Sequence, residues 1–157
     1  MIRIDTSLVN KVSEAASHSP RRRMNHNFHK QADDTLQRML NAMEPDTYIA
    51  PHKHQQPDKR EAFIILQGAV LLVEFTEEGK ITGHVLMDRE QGVFGAEVPP
   101  RTYHTLICLE PGSVIYEIKD GPYDVSTDKI FAPWAPAEAD PAVADFNKKI
   151  LRQIGLA

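Results

Sequence analysis

The sequence is poor in the features that define several common protein classes. Cys108 is its one cysteine in 157 residues, so no intrachain disulfide forms and no CxxC metal or redox motif exists. It lies in the apolar run 105–109, where a small core residue is expected rather than a nucleophile. No apolar run reaches the roughly 20 residues that a membrane-spanning helix needs, and the N-terminal stretch lacks the uninterrupted apolar region of a secretory signal. A cytoplasmic protein without a membrane partner is expected. Charge of one sign is also not in surplus: 18 Lys and Arg against 22 Asp and Glu give a net charge of −4. That balance provides no general field for nucleic acid, so binding should be local and site-specific. Internal repeats and low-complexity tracts are absent. The length and the 41% hydrophobic content suit one domain over residues 1–157 with one core.

Three regions follow from the hydrophobic pattern. Residues 1–35 form a helix and an arm: Leu8, Val9, Val12, Ala15 and Ala16 share a helical face, Asp5 or Thr6 caps its start, and Pro20 marks its end. Residues 36–120 read as a barrel core. Within it, 36–43 fits a helical turn or a strand, and strands are predicted over 47–50, 62–66, 69–75, 81–87, 93–98, 105–109 and 113–118. The turns at Gly68, Gly79, Gly92, Pro99-Pro100 and Pro111-Gly112 give the β-rich spacing of a sandwich or small barrel. Residues 121–157 form a proline-rich wrap anchored by Trp134. A last helix follows, with Asp140 as N-cap, Pro141 at the first helical position, and Val143, Phe146, Ile150 and Ile154 on one face.

The stretch from Pro51 to Gly68 carries the chemistry. On a strand, residues two apart project to the same side, so His52 and His54 can direct two imidazoles at one point from about 6–7 Å apart along the backbone. The loop that follows returns the chain with Glu61 at its head, and His104 lies after the turn at Pro99-Pro100. Three imidazoles and one carboxylate suit zinc, iron, nickel or manganese and suit calcium or magnesium poorly. Four protein ligands leave open positions on a five- or six-coordinate ion, which permit water activation, Lewis-acid polarisation or substrate chelation.

His52-x-His54, Glu61-x6-Gly68 and the element from Gly95 through Pro99 to His104 resemble the two motifs of the cupin superfamily. The spacing departs from the common pattern in two places: six residues separate His54 from Glu61 where three or four are usual, and Arg101 stands where glycine is usual. The resemblance extends to the WbuC-type cupin fold metalloproteins through Ser19-Pro20-Arg21, Arg23-Met24-Asn25, Asn27-Phe28-His29, Gln37 to Asn41, Pro51-His52-x-His54, Thr102-x-His104-Thr105, Glu110-Pro111-Gly112, Lys119-x-Gly121-Pro122-Tyr123 and Phe131 to Pro136. It implies an all-β cupin fold, a double-stranded β-helix or jelly-roll barrel with short N- and C-terminal helices, and one bound divalent transition metal. It also implies that 36–43 is a strand, that two copies pair as a homodimer, and an association with surface-polysaccharide (O-antigen) biosynthesis.

Further candidates surround the four ligands. Asn25, Asn27 and His29 alternate in a short extended segment and can present two amides and an imidazole to a substrate at the barrel mouth. His26 points the other way. Arg38 and Arg101 are candidates for binding substrate anions, because each lies on or beside a strand carrying ligands. His29, Tyr116 and Glu117 are the candidate proton-handling groups. The functional expectation is a metal-dependent enzyme acting on a sugar or sugar nucleotide, by isomerisation, epimerisation or an oxygen-dependent step. Two alternatives stay open, a non-catalytic metal-containing module that binds a carbohydrate or another small molecule, and a purely structural metal.

Overall fold

The computed structural model describes residues 1–156. Its elements run α1 (Thr6–His18), β1 (Arg23–Asn27), β2 (Leu36–Met43), β3 (His52–Lys53), β4 (Glu61–Gln67), β5 (Ala69–Phe75), β6 (Ile81–Asp88), β7 (Gly95–Val98), β8 (Tyr103–Cys108), β9 (Ser113–Asp120), β10 (Ile130–Phe131) and α2 (Val143–Gln153). Two five-stranded antiparallel sheets face each other, one ordered β1-β2-β9-β4-β7 and the other β10-β3-β8-β5-β6. This is the jelly-roll barrel that the motifs imply.

Alternation along each strand sorts the side chains into three apolar clusters. Between the sheets pack Met43, Phe63, Ile65, Val70, Leu72, Met87, Leu106, Cys108 and Ile115. The opposite parity of β5 and β8, with Leu71, Val73, Phe75 and Ile107, is covered by α2 and the wrap. Trp134 anchors that wrap: its ring packs 5.0 Å from Phe75 and its Nε1 donates to the Glu77 carbonyl at 3.0 Å. On the other sheet, Leu40, Ala42 and Val114 are covered by Val9, Val12 and Ala16 of α1. Asp5 caps α1 by accepting a hydrogen bond from the Leu8 amide at 3.1 Å.

Two expectations are corrected. Residues 47–50 are buried but form no strand, because side chains take the carbonyls that a ladder would have used. Asn147 donates to the Thr47 carbonyl, Arg23 to that of Tyr48, Thr105 to that of Ile49, and the Ala50 carbonyl receives the His52 ring. The last helix begins at Val143 rather than Pro141. The Asp140 side chain binds the Ala142 amide at 2.8 Å, and its carbonyl accepts from Val143 at 3.1 Å, so Asp140 organises a turn that precedes the helix.

Candidate metal centre

The sheet registers assemble the site at one end of the barrel. In the first sheet Gln37 pairs with Lys119 and Lys119 with Glu61; one row inward, Met39, Glu117 and Phe63 are aligned in the same way. In the second sheet His52 pairs directly with His104. His52, His54, Glu61 and His104 are all buried, and one ligand atom from each lies within 4.8 Å of the others. Donors about 2.0–2.2 Å from a shared ion span nearly that distance.

Each imidazole is held by a backbone carbonyl at Nδ1: His52 by Ala50 at 2.9 Å, His104 by Thr102 at 3.0 Å, and His54 by Asp128. A carbonyl can only accept, so each ring carries its proton on Nδ1 and turns the Nε2 lone pair inward. His104 Nε2 and His54 Nε2 stand 2.8 and 3.2 Å from Glu61 Oε2. The angles do not make hydrogen bonds there, and His54 Nε2 and Glu61 Oε2 are buried polar atoms without a partner. Lone pairs and a carboxylate oxygen crowded in a dry space repel unless a cation lies among them. The donor set therefore fits a metal ion: this cluster can hold one.

The ionisation of His52 agrees with that geometry, while Glu61 and His104 favour each other's charged forms. Burial pushes the His52 pKa well below its ordinary value, which keeps the ring neutral. Burial alone would raise the Glu61 carboxyl, but His104 and His54 outweigh it and hold Glu61 well below the carboxylate range. His104 is lowered by burial and raised more strongly by Glu61.

His52, Glu61 and His104 border a cavity of about 700 Å³. Its lining includes Asn25, Asn27, His29 and Glu117 among the predicted residues. Glu117 is buried, burial and Glu61 raise its pKa, and Asn41 Nδ2 donates to its Oε2 at 3.1 Å. His29 presents its ring with Nδ1 tied to the Arg38 peptide at 3.1 Å.

Three predicted residues are not brought to the cavity. Tyr116 has the opposite parity from Glu117 and packs on the outer face, its ring 5.8 Å from Phe28 beneath α1. Arg38 shares that outer face with Leu40, between the inward Gln37 and Met39. Arg101 is 63% exposed and paired with Asp58 at 2.9 Å. Its φ of 65° is left-handed, which accounts for the glycine usual at that position of the motif. Conversely, Asn41, Lys119, Tyr123, Asp128 and Lys129 line the cavity without being site candidates in the sequence, although the first three fall within the shared motifs. Asn41 and Lys119 follow once a register to Glu61 is known. Asp128 and Lys129 lie on a loop that has no periodic signal.

The long loop between His54 and Glu61 also has a structural role. It carries Lys59, whose almost fully buried ammonium meets Asp128 Oδ1 at 2.6 Å, while Lys119 meets Oδ2 at 2.7 Å. The same Asp128 supplies the carbonyl that fixes His54. One aspartate thus connects the inserted loop, β9 and a histidine of the cluster.

Two facing sheets with a three-histidine, one-glutamate cluster inside one end define a cupin-fold protein with a candidate metal centre. Residues 4–87 match the family described as Domain of unknown function (DUF6016), and the chain belongs to that family. No curated protein sequence matches it. Solved structures with the same fold include KdgF from Halomonas sp., 17% identical over 69% of this chain and 86% of that one, with a TM-score of 0.50. Another is the capsular polysaccharide assembling protein CapF from Staphylococcus aureus, 17% identical, with 69% of this chain covered and a TM-score of 0.56. This chain spans 29% of CapF. Cellulomonas parahominis L-ribose isomerase, solved with L-psicose, is 13% identical over 72% of this chain and 70% of that one, with a TM-score of 0.54. At these identities the likeness is one of fold. Among the described residues no helix is long and apolar enough to cross a membrane.

Proposed function

We propose that the protein is a metal-dependent enzyme acting on a sugar or sugar nucleotide in surface-polysaccharide assembly. The observation that carries this reading is the set of three carbonyl-anchored imidazoles and Glu61 converging on one point beside a 700 Å³ cavity, which His52, Glu61 and His104 line. That volume suits a small molecule. The amides of Asn25 and Asn27 and the ring of His29 give its wall donors and acceptors for hydroxyl groups. The shared fold with a capsular polysaccharide assembling protein and with a sugar isomerase supports a carbohydrate, and the motifs shared with WbuC-type cupins support the O-antigen setting.

A bound zinc, iron, nickel or manganese ion would supply Lewis-acid polarisation of a carbonyl or chelation of vicinal hydroxyls. The chain's own residues would handle the protons. Glu117, held more basic than an ordinary carboxyl by burial and fixed at one oxygen by Asn41, is suited to give as well as accept a proton. His29 is the second proton-handling group in this reading. Two copies pairing as a homodimer in the cytoplasm complete it, with light scattering as the check on the pairing.

The test is elemental analysis of untagged protein purified without chelators, beside His52→Ala and His104→Ala, followed by turnover assays with nucleotide sugars. Near-stoichiometric metal in the wild type and none in either variant is expected. Sugars that bind in a His52-dependent way and are never chemically changed would replace the enzyme with a binding module.

A further inference from the structure

The charges around the cavity are equal in number but are not paired one to one. Arg21 and Arg23 share one carboxylate, Glu138, and Lys59 and Lys119 share another, Asp128. Lys129 enters no hydrogen bond or ion pair among the described residues, although it lines the cavity. Glu61 and Glu117 are near enough to act on its ammonium, but Glu61 is turned into the histidine cluster and Glu117 is disfavoured as an anion by burial. By surface area Lys129 is exposed, so solvent reaches it. Enough protein nevertheless surrounds its ammonium for burial to pull its pKa below the ordinary lysine value. Its backbone is held firmly, because the preceding residue, Asp128, is fixed by two lysines and by His54. The result is a positioned, accessible cation without a protein counter-ion, beside a cluster whose single carboxylate would leave a divalent ion with positive charge to spare.

We propose that Lys129 binds an oxyanion of the ligand, so that the cavity takes an acidic sugar, bearing a carboxylate or a phosphate, in preference to a neutral one. This deepens the carbohydrate reading above and rests on it. A ligand oxyanion supplies the charge-assisted partner that the protein withholds from Lys129, while Asn25, Asn27 and His29 remain for the hydroxyl groups. It also separates Lys129 from Lys119, whose ammonium already belongs to Asp128.

The experiment is calorimetric titration of glucuronate, inorganic phosphate and glucose into the metal-loaded and the chelator-treated protein at constant ionic strength. Lys129→Met, Lys129→Gln and Lys129→Arg are measured alongside, each checked for metal content and Tm. The expected result is that at least one oxyanion binds and glucose at the same concentration does not. Binding then weakens about tenfold or more in Lys129→Met and Lys129→Gln and is largely kept in Lys129→Arg, with metal content unchanged. Whether glucuronate or phosphate binds more tightly distinguishes the two sources of the anion. The proposal is overturned if glucose binds as well as glucuronate, if the neutral variants bind oxyanions like the wild type, or if no oxyanion binds at all. Sugar binding that needs His52 and ignores Lys129 would remove this proposal and leave the metal reading standing. Lys129-dependent anion binding by a protein that takes up no metal would do the reverse.

Discussion

The two ends of the barrel are made by the same strands, yet they differ in chemistry. At one end β4 contributes Ile65, β8 Leu106 and Cys108, and β9 Ile115, all closed into the apolar cluster between the sheets. At the other end those strands contribute Glu61, His104, Glu117 and Lys119, buried but ionisable. A few residues along one strand separate a dry core from a charged chamber. The dry end gains from every apolar contact and holds the sheets together. The charged end is tolerated because each buried charge has a partner or a task. A rigid half thus positions a half that its own chemistry would destabilise.

Substitutions at the two ends should expose this division, and the largest effect is expected at the charged end. Asp128→Ala would leave Lys59 and Lys119 buried without a counter-ion and should cost about 3–5 kcal/mol in chemical denaturation. Because Asp128 uses its carbonyl for His54, the substitution should lower stability more than it lowers metal affinity. At the dry end, Leu72→Ala should cost about 2–5 kcal/mol by the same measurement. It should leave metal content by elemental analysis unchanged, since Leu72 packs in the apolar cluster and does not line the cavity.

The pH dependence of stability offers a smaller and sharper contrast. Burial raises the Asp128 carboxyl, but Lys119 and Lys59 outweigh it and leave the pKa below its ordinary value. The folded state then binds fewer protons than the unfolded one, so the contribution is complete above the unfolded pKa of about 4 and is lost as pH falls through the folded value. Denaturation midpoints should drop on acidification below about pH 4, and Asp128→Asn should flatten that drop. The smallest effect concerns Cys108, whose thiol burial raises to about 11. Alkylation at pH 8 should modify it only after unfolding, as mass spectrometry would register, because almost no thiolate forms in the dry cluster.

Much of this arrangement was legible in the sequence where one rule dominated. The strand over 69–75 and the cluster His52, His54, Glu61 and His104 follow from alternation, turn residues and ligand spacing, and the structure places them accordingly. Segment 47–50 misleads because its apolar composition matches a strand, while its carbonyls are claimed by side chains distant in sequence. The strands of Tyr116 and Arg38 pass the site, but only the register decides which parity faces inward: Met39 and Glu117 pair on the inner face, and Tyr116 and Arg38 take the outer one. Lys129 and Asp128 could not be found by periodicity, since a loop brings them to the cavity.

The carbonyl grip on the three imidazoles has a last consequence. The anchors come from three separate places, the chain before β3, the loop carrying Asp128 and the turn before β8, and none of them depends on an ion. An ion held there would therefore occupy a socket rather than act as a strut. Removing the ion should leave the rings facing the same point, and a new ion should enter without refolding the chain. Imidazole and carboxylate accept several first-row metals, so the occupant of such a socket records the metal supply of the cell in which the protein was made.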